Sequence, residues 1–235
     1  MNFNKFTQYF SSSRTERYHN ATGKSESKTI KLYKANLAIS KSFYPLLAIL
    51  EVLFRNKIND TLSVFFNDSE WIINQKSGFM IDSSLTFTYK KTRKVKTNRF
   101  LLEEITKVEN KLVKAGVKIT SGKIISEQTF GFWTDLFEVH HYKLLKGKPI
   151  KIFANLPANY GRKEVNDELK KIRRFRNRIY HNEPICFSGS TVDFTKTLDI
   201  YNSIRNVLRW IDPQLLEFIA DIDEIIKNIT IAEKI

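Results

Sequence analysis

Three side chains able to grip or cleave a phosphodiester stand together in one short stretch: Arg176, Asn177 and His181. An imidazole can exchange a proton near neutral pH. A guanidinium can clamp the non-bridging oxygens of a phosphate, and an amide beside them can orient either partner. Residues 177 and 181 are four apart and share a face if the segment is helical. At about 100° per residue, Val165, Leu169, Ile172, Phe175 and Ile179 fall within one stripe about 120° wide. Arg176 lies inside that stripe, close to the direction of Leu169. A guanidinium facing a core stays charged and therefore needs a partner. His181 stands near the end of the expected helix, just before Pro184, where the helix dipole favours imidazolium. Arg173, Arg174, Arg176 and Arg178 oppose that effect. Taken alone, the spacing also fits a buried arginine bridging two helices with a capping histidine.

The charge of the chain narrows the choice. Lys and Arg outnumber Asp and Glu by 39 to 25, a formal net charge of +14 in 235 residues. The surplus sits in two blocks. Leu85–Lys123 carries +8 and includes Lys90, Lys91, Arg93, Lys94 and Lys96. His141–Tyr180 carries +9 and runs into the Arg-Asn-x₃-His stretch, with Arg173, Arg174 and Arg178 around it. Each block by itself fits a solvated Lys-rich face; two of them favour a surface for a polyanion, and RNA above all. An anionic membrane is the weaker candidate, because neither block forms a clean amphipathic helix with an exposed aromatic face. The chain has no run of about 18 uninterrupted apolar residues, from which no membrane span is expected. The first twenty residues hold no apolar segment of the secretory type, so a cytoplasmic location is expected. The single cysteine, Cys186, allows neither a disulfide framework nor a cysteine-based zinc site. His140 and His141 have no neighbours at metal-ligand spacing and read as surface or packing residues. No metal and no cofactor are expected.

The positions of these residues depend on helices. With 42% apolar residues but only 8 Gly and 5 Pro, the chain has material for a core and little turn punctuation for an all-β fold. Residues 1–29 read as a polar extension with a short helix near Ser12–His19 and a mobile connection. Residues 30–235 read as one helical domain. Apolar residues recur at helical steps from Leu32 to Phe65, with Pro45 expected to kink or split the segment. Leu85–Lys90 reads as a short strand or an extended connector. Further helices are expected over Arg99–Lys114, from Ser121 through Tyr142, over Lys163–Asn182, over Phe194–Trp210 and over Pro213–Ile229, with Lys146–Tyr160 as a loop. The expected fold is all-α, a bundle of five to seven helices.

An internal echo adds a second constellation. Phe54-Arg55-Asn56-Lys57-Ile58 nearly repeats Phe175-Arg176-Asn177-Arg178-Ile179, with Asp60 where the later copy has His181. Glu51 precedes Arg55 by four and can pair with it along one helix face. Glu51 is equally a candidate partner for Arg176. Glu51, Arg55 and Asn56 are therefore supporting candidates.

The string Phe175-Arg176-Asn177-Arg178-Ile179-Tyr180-His181-Asn182-Glu183-Pro184 resembles the Arg-Asn-x₃-His signature of the HEPN superfamily. The chain more narrowly resembles the Abi-like, AbiD/AbiF type of bacterial abortive-infection proteins. Asn36–Asn56, Phe130–Phe137 and the Arg176–Pro184 string carry the likeness, over roughly residues 30–186. The family's usual small residue before the motif histidine is here Tyr180, which bears on access to the site. The resemblance implies a HEPN-like helical bundle and a metal-independent endoribonuclease toxin with Arg176, Asn177 and His181 as catalytic residues. It also implies a cognate structured non-coding RNA as partner, and a homodimer in which two motifs meet and supply the second histidine. The same residues also suit an RNA-binding module without catalysis. A DNA-binding regulator is the third class, and the sequence lacks helix-turn-helix spacing for it.

Overall fold

The computed structural model describes residues 1–88 and 92–235. It is all-α in character, with helix over 69% of the described residues. In order, the helices are α1 (Phe3–Phe10), α2 (Ser12–Ala21), α3 (Glu26–Phe66), α4 (Trp71–Asn74), α5 (Phe100–Lys114) and α6 (Ser121–Glu127). After them come α7 (Phe130–Asp135), α8 (Val139–Leu144), α9 (Arg162–Tyr180), α10 (Thr195–Ile211), α11 (Gln214–Phe218) and α12 (Ile225–Ala232). Four short 3₁₀ helices (Gln75–Ser77, Phe79–Ile81, Ser83–Leu85 and, within the segment expected to be a loop, Lys148–Ile152) and two small antiparallel hairpins complete the set: β1 (Thr86–Thr88) with β2 (Val95–Thr97), and β3 (Phe187–Ser188) with β4 (Thr191–Val192).

Twelve helices among the described residues exceed the expected five to seven, and the reasons are local. The single helix expected from Ser121 through Tyr142 is broken twice. Gln128 and Thr129 are extended ahead of α7, and Glu138 is extended ahead of α8. The expected Pro213–Ile229 helix is likewise two, α11 and α12. In the opposite direction, α3 runs unbroken for 41 residues through Pro45, so the expected split does not occur. A proline in a helix interior costs about 3 kcal/mol, and burying one large apolar side chain returns about 1.5–3 kcal/mol. Leu46, Leu47 and Leu50, directly after Pro45, are all buried.

The chain divides into two compact units: Met1–Leu50 with Arg174–Arg209 and Pro213–Ile235, and Glu51–Arg173 with Trp210–Asp212. In the first, the inner stripe of α3 (Leu32, Asn36, Ile39, Phe43, Leu46, Leu50) is buried, and Phe43 meets Phe175 edge to face at 4.8 Å. Asn36 is a polar member of that stripe with a task. Its side-chain oxygen accepts from the backbone N–H of Ile185 at 2.8 Å, while Thr197 donates to the carbonyl of Ile185 at 2.5 Å. The chain just past Pro184 is thereby fixed at both backbone groups. Residues 1–29 belong to this unit, with Phe6, Thr15 and Tyr18 buried.

The second unit is centred on aromatic rings. Phe54 lies 5.7 Å from both Phe130 and Phe137, and Trp71 donates to Asn59 at 2.9 Å. Trp133, Val165, Leu169 and Ile172 are fully buried there. α3 also contains an 18-residue window of mean hydropathy 1.6, 39% of it buried, long and apolar enough to cross a membrane by composition. The absence of an uninterrupted apolar run therefore does not exclude a span. A window interrupted by a few polar residues passes on its average.

Candidate functional site

The end of α9, in the first unit, holds the motif. Phe175 is buried and Ile179 half-buried, as the stripe requires, and Arg176 is half-buried. Asn177 and His181 are both exposed. The helix stops in a tight, fully bonded turn: the N–H of Asn182 donates to the carbonyl of Ile179 at 2.9 Å, and that of Glu183 to Arg178 at 2.8 Å. This is the Schellman pattern, with His181 as the C-cap and Asn182, at φ +54°, in the left-handed position usually taken by glycine. The sequence pattern carries the expected helix to Asn182; it ends two residues earlier because this turn closes it ahead of Pro184. His181 thus sits exposed at the negative end of the helix dipole.

The arginines around His181 have different surroundings. The guanidinium of Arg176 lies 4.3 Å from the centre of the Tyr180 ring, a cation–π stack. Tyr44 from α3 stands 6.4 Å from the same ring, and both tyrosines are about half exposed. Tyr180 therefore covers one face of Arg176 and leaves His181 exposed. Arg178 turns back onto the helix end, donating to the carbonyl of Pro184 at 2.6 Å and standing 3.5 Å from Glu183. Arg174 is exposed.

Two arginines that spacing and charge blocks do not single out complete this end. On α2, Arg14 donates to the carbonyl of Asn182, next to His181. Arg17 donates to the carbonyl of Gly189 at 2.5 Å and lies 4.4 Å from the centre of the Phe187 ring. A signal existed. Thr15 and Tyr18, three apart, form the buried side of α2, and Phe3, Phe6 and Phe10 form a helical stripe on α1 that a reading by overall polarity hides.

The remaining candidates fall in the second unit. Glu51 and Arg55 are half-buried on α3 and Asn56 is exposed; Arg55 donates to the carbonyl of Ser126 at 3.2 Å. Arg93 and Lys94 are exposed in the connection between β1 and β2. Lys90 and Lys91 lie outside the described residues. Lys96 and Arg173, named from separate charge blocks, line one pocket of about 390 Å³ together with Phe87, Asn98 and His140. The carboxylates there are already engaged: Asp135 with His141 at 2.8 Å, and Glu138 with Lys170 at 2.8 Å. His140 stacks on Phe87 and His141 is buried. Among the described residues no group of three or more His, Cys, Asp and Glu side chains is placed to hold a metal ion.

Compared with protein-family models, curated proteins and solved structures, the chain matches none.

Proposed function

We propose that the protein is a metal-independent endoribonuclease of the HEPN type, acting as an abortive-infection toxin in the cytoplasm under the control of a cognate non-coding RNA. The observation that carries the reading is the end of α9. There an exposed imidazole and an exposed amide one turn apart share a capped helix terminus with Arg176, with Arg174 and Arg178 on the same helix and Arg14 bonded to the adjacent Asn182. In this reading the 2′-OH of RNA attacks the adjacent phosphorus, and the 5′-oxygen of the next nucleotide leaves, giving a 2′,3′-cyclic phosphate. His181 moves a proton at the attacking or the leaving oxygen, and Arg176 stabilises charge on the non-bridging oxygens. Asn177 orients the imidazole or the phosphate. One histidine supplies half of an acid–base pair, and a second copy of the chain in a homodimer supplies the other. The burial of the apolar stripe of α3 supports a chain that works in water.

The test is incubation of the purified protein with transfer or bulk RNA in the presence of a chelator, with the cyclic-phosphate end as the readout. Cleavage lost in folded His181→Ala and Arg176→Ala proteins is the expected result; cleavage retained in both overturns it. One observation favours a second reading, an RNA-binding module without catalysis. The Tyr180 ring already occupies a face of Arg176, as suits a residue that grips rather than reacts. That reading expects salt-sensitive binding, little loss on His181→Ala and no cleaved product.

A further inference from the structure

The N-terminal helices are fastened to the segment just after His181. Arg14 and Arg17 bond the carbonyls of Asn182 and Gly189. Tyr18, buried, packs edge-on against Phe187 at 5.0 Å and Tyr33 at 5.2 Å. Phe6, also buried, holds α1 against Tyr33 at 5.2 Å. The outer residues of α1 are therefore presented on a fixed scaffold beside the motif.

Between α1, α2 and α3 lies an open groove of about 760 Å³, walled by Tyr9, Phe10, Tyr33 and Leu37, with Arg14 and Asn182 at the motif end. Tyr9 is 69% exposed, Leu37 44% and Phe10 37%. Phe10 packs one side against Phe6 and Tyr33 at 5.2 and 5.0 Å and, with Tyr9 and Leu37, forms a contiguous exposed apolar patch of the kind that marks an interaction surface. The chemistry of the walls selects that partner. Flat π surfaces alternate with serine hydroxyls, one arginine is present and no carboxylate lines the groove. A neutral apolar peptide would leave the arginine without a complement. A duplex keeps its bases stacked on each other and offers none to the rings. An unpaired nucleotide offers both a π face and a phosphate. Leu37 and Tyr44 are seven residues apart on α3 and share a face, so the exposed stripe runs from the groove toward the Tyr180–Arg176 stack.

We propose that this groove is a single-stranded RNA subsite, in which Tyr9 and Phe10 stack an unpaired base adjoining the phosphate held at His181. It rests on the reading of the α9 end as an RNA site and adds the form of RNA that it accepts. The probe is a short fluorescent single-stranded 2′-O-methyl oligoribonucleotide, which binds but cannot be cleaved, compared with the duplex of the same sequence by anisotropy. The wild-type protein binds the single strand more tightly than the duplex. Tyr9→Ala, at a position too exposed to disturb the fold, weakens single-strand binding about tenfold and leaves duplex binding unchanged, and Tyr9→Trp retains wild-type affinity. Ultraviolet crosslinking of the same probe maps to α1. Equal affinity of Tyr9→Ala and wild type, or a crosslink only elsewhere, overturns the proposal. A Tyr9→Ala change in oligomeric state without a change in RNA affinity also overturns it, in favour of a contact between copies. The two readings fail separately. Tyr9-dependent binding without cleavage of ordinary RNA sinks the ribonuclease and keeps the groove; His181-dependent cleavage with no Tyr9 effect does the reverse.

Discussion

The pentads Phe54–Ile58 and Phe175–Ile179 match at four of five positions and differ only by Lys57 against Arg178. Their inner residues are treated alike: Phe54 and Phe175 are buried, Arg55 and Arg176 half-buried, Asn56 and Asn177 exposed. The two copies diverge in the chain immediately C-terminal to them. After the first copy α3 continues to Phe66, so Asp60 and Thr61 are ordinary helical residues, and Asn59 is occupied as the acceptor for Trp71. After the second copy the helix stops, Tyr180 folds over Arg176, and His181 is the cap of a Schellman turn. One string of residues thus serves as packing in one setting and as a candidate site in the other. The deciding feature is the helix end, where the backbone turns and His181 becomes an exposed cap rather than one more helical residue.

The widest separation between the copies lies six residues beyond each phenylalanine, at Asp60 and His181. If the end of α9 is the ribonuclease site proposed above, His181→Ala should lower RNA cleavage by about 10²–10⁴-fold, the range for loss of a general acid or base, whereas Asp60→Ala should leave it unchanged. Initial rates of cyclic-phosphate formation check this, and a rate loss in Asp60→Ala would erase the distinction. Next come the arginines. On the same proposal, Arg176→Ala should lower the rate by about 10²-fold through loss of charge stabilisation. Arg176→Lys does not restore it, because an ammonium neither stacks on Tyr180 nor clamps in a fork. Arg55→Ala leaves the rate alone and lowers stability by about 1 kcal/mol, the value of its bond to Ser126. Denaturant melts of the two variants beside their rates make the comparison; equal activity losses would mean that the two copies act as one site.

Where the pattern is periodic, the fold is legible in the sequence. The α9 stripe, the run of α5 from residue 100 to the turn at Gly116, and the inner face of α3 follow from apolar spacing alone. The breaks are less visible. Gln128, Thr129 and Glu138 carry no proline or glycine signal, and their extended backbones answer to the packing of Phe130, Trp133 and Phe137. Pro45 does not split α3, because one lost backbone bond is a small term beside a buried stripe of leucines. At the site, Arg176, Asn177 and His181 could be named from type and spacing. For Arg14 and the Tyr9–Phe10 groove the sequence offered only the helical stripes of α1 and α2; their place beside the motif comes from contact with residues distant along the chain, as the 168 positions between Arg14 and Asn182 illustrate.

The turn that distinguishes the second copy also leads straight to Cys186, and that thiol reports on it. Cys186 is fully buried, and burial pushes its thiol from an ordinary value of 9 up to about 12. A neutral group whose folded value is raised stabilises the fold fully below the unfolded value and loses that contribution as pH rises through the folded one. Cys186 therefore adds constant stability below about pH 9 and progressively less between pH 9 and 12. Tyr201, hydrogen-bonded to Asp223 at 2.7 Å and likewise raised to about 12, acts in the same sense. Alkaline melts should fall across that window, with Cys186→Ala showing the shallower fall. Alkylation at neutral pH should be slow and set by opening of the fold; rapid labelling of the native protein would mean that the segment after Asn182 is not held by Asn36 and Thr197 as found.

The smallest effect is the sharpest test of what separates the copies, because it changes sign. Asn182 holds a left-handed backbone at φ +54°. Glycine reaches that region without the strain a side chain carries there, and the backbone carbonyl that accepts from Arg14 is retained. Asn182→Gly should therefore raise stability by about 0.5 kcal/mol. Thr61 stands at the corresponding place after the first copy, inside α3, with its hydroxyl bonded to the carbonyl of Lys57 at 2.8 Å. Thr61→Gly replaces a helical residue by the one with the most backbone freedom to lose, and should lower stability by about 0.5 kcal/mol. Urea melts of the two single variants against wild type resolve opposite shifts in midpoint at constant slope. Shifts of the same sign would mean that the turn after His181 is not the left-handed cap, and the contrast between a pentad in mid-helix and a pentad at a helix end would lose its physical basis.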